Sequence, residues 1–140
     1  MTIEVGWDVD RADGFCEEVV MTLTTPDDVA EFVRRLAEPG ALHTRVVHRG
    51  RPWFEEREGY FDHAVYAAIH GDYAYLSYQD YVIGKHYSVG SPDSPGAEYD
   101  DDDFPPGSGI TTDQLTDAIT EFLVTSERPG CLAWKPAAFA

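Results

Sequence analysis

His63-Ala64-Val65-Tyr66-Ala67-Ala68-Ile69-His70-Gly71-Asp72-Tyr73-Ala74-Tyr75-Leu76-Ser77-Tyr78-Gln79 is the stretch that sets the fold class. Its two β-rich runs, 63–69 and 73–79, are separated by His70-Gly71-Asp72, and this pattern reads as a β-hairpin. In the second run Tyr73, Tyr75 and Ser77 share one face of the strand, while Ala74, Leu76 and Tyr78 share the other. A third strand, Val82 to Val89, extends the meander on one side. On the other side Ile3, Val5, Trp7 and Val9 alternate with polar residues, the period of a half-buried strand. A further apolar run spans Val19 to Leu23, and His43 to His48 reads as a short strand before a turn at Gly50-Arg51-Pro52. The polar and aromatic segment from Trp53 to Asp62 carries no periodic signal.

Two helices interrupt the strands. Thr25 caps the first, Pro26 suits its first turn, and Asp27 and Asp28 face the positive end of the helix dipole. Val29, Phe32, Val33 and Leu36 recur at helical spacing, and Glu38-Pro39-Gly40 ends the run. The second helix opens with a capping box, Thr111 with Gln114, and Ile110 is placed to staple against Leu115. Leu115, Ala118, Ile119, Phe122 and Leu123 form its apolar stripe, Arg128-Pro129-Gly130 ends it, and Cys131 to Trp134 returns as a short strand. The predicted fold class is α+β: a mostly antiparallel β-sheet with two α-helices packed on one face. It forms a single domain over residues 1–140, with an acidic loop at about 90–109.

The chain has 140 residues, 43% of them hydrophobic, with eight Tyr, seven Phe and three Trp. That is enough to build a core without disulfides or metals. Its formal net charge is -16. Such a surplus opposes compaction but steers the protein toward a positively charged partner, and it disfavours nucleic acid and anionic membranes, which need Lys and Arg along a phosphate surface. Cys16 and Cys131 lie far apart, no secretory leader pattern opens the sequence, and no apolar stretch approaches the roughly 18 residues of a membrane span. A cytoplasmic protein with reduced thiols is expected.

Catalytic signatures are missing from the sequence. His43, His48, His63, His70 and His86 do not fall at zinc-ligand spacings, and there is no nucleophile elbow, Walker loop or dinucleotide fingerprint. Adjacent in a strand, Asp62 and His63 would point to opposite faces, which argues against a dyad. The aspartate run gives all its carboxyls one solvated environment, whereas acid-base catalysis needs two different ones. The expectation is therefore a non-enzyme with no catalytic residue, no metal and no cofactor.

What stands out is the dense acidic loop: Glu98, Tyr99, Asp100, Asp101, Asp102, Asp103 and Phe104. Aromatic residues flanking complementary charge are the ingredients of an interface, because rings supply desolvated contact while charges set on-rate and specificity. These seven residues are the expected contact with a basic protein, against the plainer reading of a solvated loop. Tyr66, Tyr73, Tyr75, Tyr78, Tyr81 and Tyr87 leave a small-molecule binding module with a tyrosine-lined pocket as the alternative.

From the Tyr78-to-Ser88 strands onward the chain resembles immunity protein family 1 of bacterial polymorphic toxin systems. The resemblance rests on Tyr99, on Pro105-Pro106-Gly107-Ser108-Gly109-Ile110, on the helix ending in Phe122-Leu123, and on Arg128-Pro129 before Leu132-Ala133-Trp134. Ser126-Glu127 stands where a Gly or Lys-Gln pair is common in similar sequences, a departure confined to a turn. The resemblance implies an antitoxin made beside a cognate toxin, which it binds and blocks. Toxins paired with this family are often nucleic-acid deaminases, with a zinc-activated water and a basic groove that an acidic protein would occlude. Ile110, Phe122, Arg128, Pro129, Leu132 and Trp134 are then structural, with Arg128 bonding carbonyls at a helix end and Trp134 packing beneath the helix.

Overall fold

A computed structural model describes residues 1–52, 61–100 and 102–138. Alternating burial along Ile3–Asp10 (β1) turns Ile3, Val5, Trp7 and Val9 inward. Cys16–Leu23 (β2) pairs with β1, with Trp7 opposite Val19 and Ile3 opposite Leu23. After helix Pro26–Leu36 (α1) come Thr44–His48 (β3), His63–His70 (β4), Tyr73–Asp80 (β5) and Gly84–Ser88 (β6). Ala97–Glu98 (β7) and Asp103–Phe104 (β8) make a separate two-stranded ribbon before helix Thr112–Thr125 (α2) and the final strand Trp134–Pro136 (β9). The main sheet runs β2-β1-β3-β4-β5-β6-β9, each neighbouring pair antiparallel.

Both helices lie on one face of this sheet. Val29, Phe32, Val33 and Leu36 of α1, with Leu115, Ala118, Ile119, Phe122 and Leu123 of α2, share one core with Ile3, Val5, Trp7, Val9, Val46, Val65, Leu76 and Tyr78. The α+β class read from the sequence is thus the architecture of the molecule, including the split of β5 into two faces. Each helix starts on a complete capping box, Thr25 with Asp28 and Thr111 with Gln114, which satisfies backbone donors that the first turn leaves free. α2 ends on Ser126, whose left-handed backbone (φ 60°) is a position that ordinarily favours glycine.

Several elements differ from the sequence expectation. The third strand begins at Gly84, because Tyr81-Val82-Ile83 form the turn before it. The last strand is displaced to Trp134–Pro136 and pairs with β6, Ser88 opposite Trp134. Arg128 lies 5.6 Å over the Trp134 ring, a cation–π contact, in place of the predicted role at helix-end carbonyls. Trp134 packs at the edge of the main core and donates its Nε1–H to Pro129 O at 2.8 Å, which closes the Arg-Pro-to-Trp segment on itself.

The described residues of 90–109 are packed, although the segment reads as a loop. It covers the face of β4, β5 and β6 opposite the helices. Gly90 N donates to Gly107 O at 2.9 Å and Ser91 N to Gly109 O at 2.8 Å. A Cβ on Gly90 would stand 1.8 Å from Gly109 O, so only glycine lets these backbone strands approach.

Candidate partner interface

The covering segment is held by a second, smaller core. Tyr75 on β5 and Tyr87 on β6 point away from the helices, and Phe104 sits between them with ring centroids 5.6 and 6.4 Å away. Only 2% of Phe104 is exposed. Beside it Asp102 is buried, 2.9 Å from Lys85 Nζ, and accepts from Ser77 Oγ at 3.4 Å. Burial disfavours the Lys85 ammonium, but the Asp102 carboxylate outweighs it and holds the group above its ordinary value. Tyr99 is half-buried, 4.8 Å from the His43 ring, and its hydroxyl, pushed up by burial, has no partner among the described residues.

The acidic run is therefore two-sided. Asp102 and Phe104 face inward as anchors of the ribbon, Tyr99 lies across its flank, and Glu98, Asp100 and Asp103 are exposed. Asp101 lies outside the described residues. The sequence reading placed all seven at a contact surface, whereas the structure leaves three described carboxylates free to meet solvent. Phe104, read as an aromatic anchor for a partner, instead anchors the chain to its own sheet.

The same face of the sheet continues across β1 and β2, where no described segment covers it. Register places Glu4, Asp8, Asp10 and Glu18 there, all exposed, together with Arg45 opposite Gly6, and Glu4 lies 3.8 Å from Arg49. The signal for this patch was already present in the alternation of Ile3 to Asp10: if the apolar residues face the core, Glu4, Asp8 and Asp10 share the opposite side. The acidic surface is thus built from two segments distant in the chain.

A second cluster lies at the junction of β3, β4, β5 and α2. Arg51 grips Asp62 with two bonds, Nε–Oδ1 at 2.9 Å and Nη2–Oδ2 at 3.0 Å, and Nη1 donates to Tyr78 Oη and to Ser126 O. Asp80 Oδ2 is 3.6 Å from Arg51 and accepts from the Tyr78 hydroxyl at 2.7 Å. Contrary to the sequence expectation, His63 Nδ1 meets Asp62 Oδ1 at 2.9 Å. Asp62 precedes β4, so strand alternation does not separate the pair. This resembles a catalytic dyad, but His63 Nε2 already accepts the His48 backbone N–H at 3.0 Å. That bond assigns the proton to Nδ1 and leaves no ring nitrogen for a substrate. His48 extends the chain, accepting from Gly50 N on Nδ1 and donating from Nε2 to Leu123 O at 3.1 Å.

Burial pushes the His63 imidazole below its ordinary value, against the pull of Asp62. Burial also opposes the Asp62 carboxylate, but the bonds from Arg51 and His63 outweigh it and keep its pKa below the usual range. A histidine depressed in the folded state lends stability above its unfolded pKa of about 6.5, and loses it as pH falls through the folded value. Asp62 adds a second loss below about 3.9. The melting temperature should fall from pH 7 to pH 5, and His63→Gln should lower it at pH 7 while flattening that slope. Equal slopes in thermal melts of the two proteins would contradict the assignment.

Tyrosines of the outer face pack against the covering segment. Among the described residues, two grooves of about 450 Å³ each border a single outer-face tyrosine, Tyr73 beside Gly90, Ser91 and Thr111 in one and Tyr87 beside Pro105, Pro106 and Lys135 in the other, so neither is a tyrosine-lined pocket. No group of three or more His, Cys, Asp or Glu among the described residues is arranged to hold a metal, Cys16 and Cys131 are exposed and form no disulfide, and no described helix is long and apolar enough to cross a membrane. The family model of immunity protein Imm1 matches residues 17–136, well beyond the C-terminal part that carries the resemblance in sequence. No curated protein matches the chain.

Proposed function

The chain belongs to the Imm1 family of immunity proteins, and from that premise we propose that it neutralises one cognate toxin by laying its acidic outer face over a basic surface of that toxin. The observation that carries this reading is the grouping of exposed carboxylates, Glu98, Asp100 and Asp103 on the packed ribbon and Glu4, Asp8, Asp10 and Glu18 on the open strands, on one face of the sheet. The helices, the capping boxes and the Arg128–Trp134 closure lie elsewhere and act as scaffold.

The toxin is proposed to be a nucleic-acid deaminase. Such an enzyme needs a cationic track for its strand, and carboxylates set on a rigid sheet can occupy phosphate positions along it. Binding takes place in the cytoplasm of the producing cell, and the immunity protein itself contributes no catalysis. An interface of this kind covers on the order of 1,200–2,000 Å², a size that calls for both acidic patches rather than the ribbon alone.

The test uses the purified chain and the catalytic domain of its cognate toxin, to be sought in the reading frames beside its own. Association should be fast at low ionic strength and slow steeply as salt is raised, since exposed charges are screened over about 8 Å at physiological ionic strength. Tight binding with a salt-independent on-rate would remove the electrostatic part of this reading. No binding at any salt would remove the whole.

A further inference from the structure

The turn between β5 and β6 exposes three consecutive large apolar residues: Tyr81 at 72%, Val82 at 90% and Ile83 at 40%. Turns ordinarily use Gly, Asn, Asp or Ser for backbone reasons, and here Gly84, with φ 72°, meets the one such requirement. Folding therefore gives Val82 no packing role, since its side chain stands in solvent.

The turn is nevertheless held firmly. Asp80 Oδ1 accepts the backbone N–H groups of Val82 and Ile83, both at 2.9 Å. The other carboxylate oxygen is fixed by the Tyr78 hydroxyl and by Arg51. A buried polar cluster thus presents an apolar tip in one conformation, so little ordering entropy remains to be lost on binding. The acidic ribbon is its neighbour: Lys85, which binds Asp102 at 2.9 Å, follows Ile83 by two residues, roughly 7 Å along an extended chain.

We propose that Tyr81, Val82 and Ile83 are the apolar anchor of the toxin interface, entering a nonpolar recess bordered by basic groups on the toxin while Asp100 and Asp103 pair with those groups. The inference rests on the toxin-binding reading above and adds to it the source of affinity. Phe104, turned into the inner core, cannot fill that role. Charge complementarity selects the occupant: an apolar centre flanked by carboxylates suits a basic protein surface with a hydrophobic pocket.

The experiment measures binding kinetics of the cognate toxin domain with wild type, with Val82→Ser, and with the double variant Val82→Ser/Ile83→Ser. The double variant should weaken binding by at least about 30-fold, almost wholly through faster dissociation. Its on-rate, salt dependence and melting temperature should match wild type, and Val82→Ser alone should give part of the loss. If wild type binds and both variants dissociate at its rate, the tip is not the anchor and the toxin-binding reading stands. A loss confined to the on-rate would likewise overturn the anchor role. If wild type itself fails to bind, the toxin-binding reading falls and takes this inference with it.

Discussion

Replacing Arg51 by Ala is expected to cost the domain about 3 kcal/mol, the lower end of the cost of removing one partner from a buried ion pair, because the Arg51 and Asp62 side chains keep 11% and 23% of their exposure. The guanidinium is the only group that joins Asp62, Tyr78, Asp80 and the Ser126 carbonyl in the described bonds. Without it, two carboxylates are left near each other, their side chains 23% and 7% exposed, and the carbonyl at the end of α2 loses its donor. The loss reaches the turn after β3, the entry to β4, the exit from β5 and the end of α2 together. A melting temperature lower by about 10–15 °C follows for a domain of this size. Arg51→Lys should recover little, because an ammonium cannot reproduce the bidentate fork on Asp62 while also reaching Tyr78 and Ser126. A melt of Arg51→Ala within about 2 °C of wild type would show that these bonds add no net stability.

The second large effect is kinetic. The variant Glu98→Gln/Asp100→Asn/Asp103→Asn should slow association with the cognate toxin domain by about 10–100-fold at low salt, the range that charge steering commonly supplies. The gap should narrow as salt rises, and stability should hardly change because these side chains are exposed. Asp102→Asn should behave differently. Its carboxylate is spent on Lys85 inside the ribbon, so that change should lower the melting temperature and have little direct effect on steering. Equal on-rates for the triple variant and wild type would move the contact away from the ribbon.

Sequence reading succeeded where the determinants are local. Alternation in Ile3 to Val9, the Gly71-Asp72 turn and the capping box at Thr111 each act over a few residues, and each led to the right element. The division of Tyr73, Tyr75 and Ser77 from Ala74, Leu76 and Tyr78 was legible for the same reason. What escaped depends on contacts between distant parts of the chain. Phe104 is buried because Tyr75 and Tyr87 flank it, and no pattern within residues 98–104 reports those neighbours. Asp62 reaches His63 because it precedes the strand, a boundary the aromatic and polar segment before it did not reveal. The acidic surface was half legible: the ribbon announced itself as a charge run, while Glu4, Asp8 and Asp10 were diluted by alternation with core residues. Val82 and Ile83 were absorbed into the strand predicted from Val82 to Val89 because apolar residues rarely mark a turn.

That this chain neutralises a toxin is decided by the growth of cells producing the cognate toxin, with and without the chain. Growth should stop with the toxin alone and resume when the intact chain is co-produced. Arrest that persists in the presence of folded, soluble chain would contradict the account.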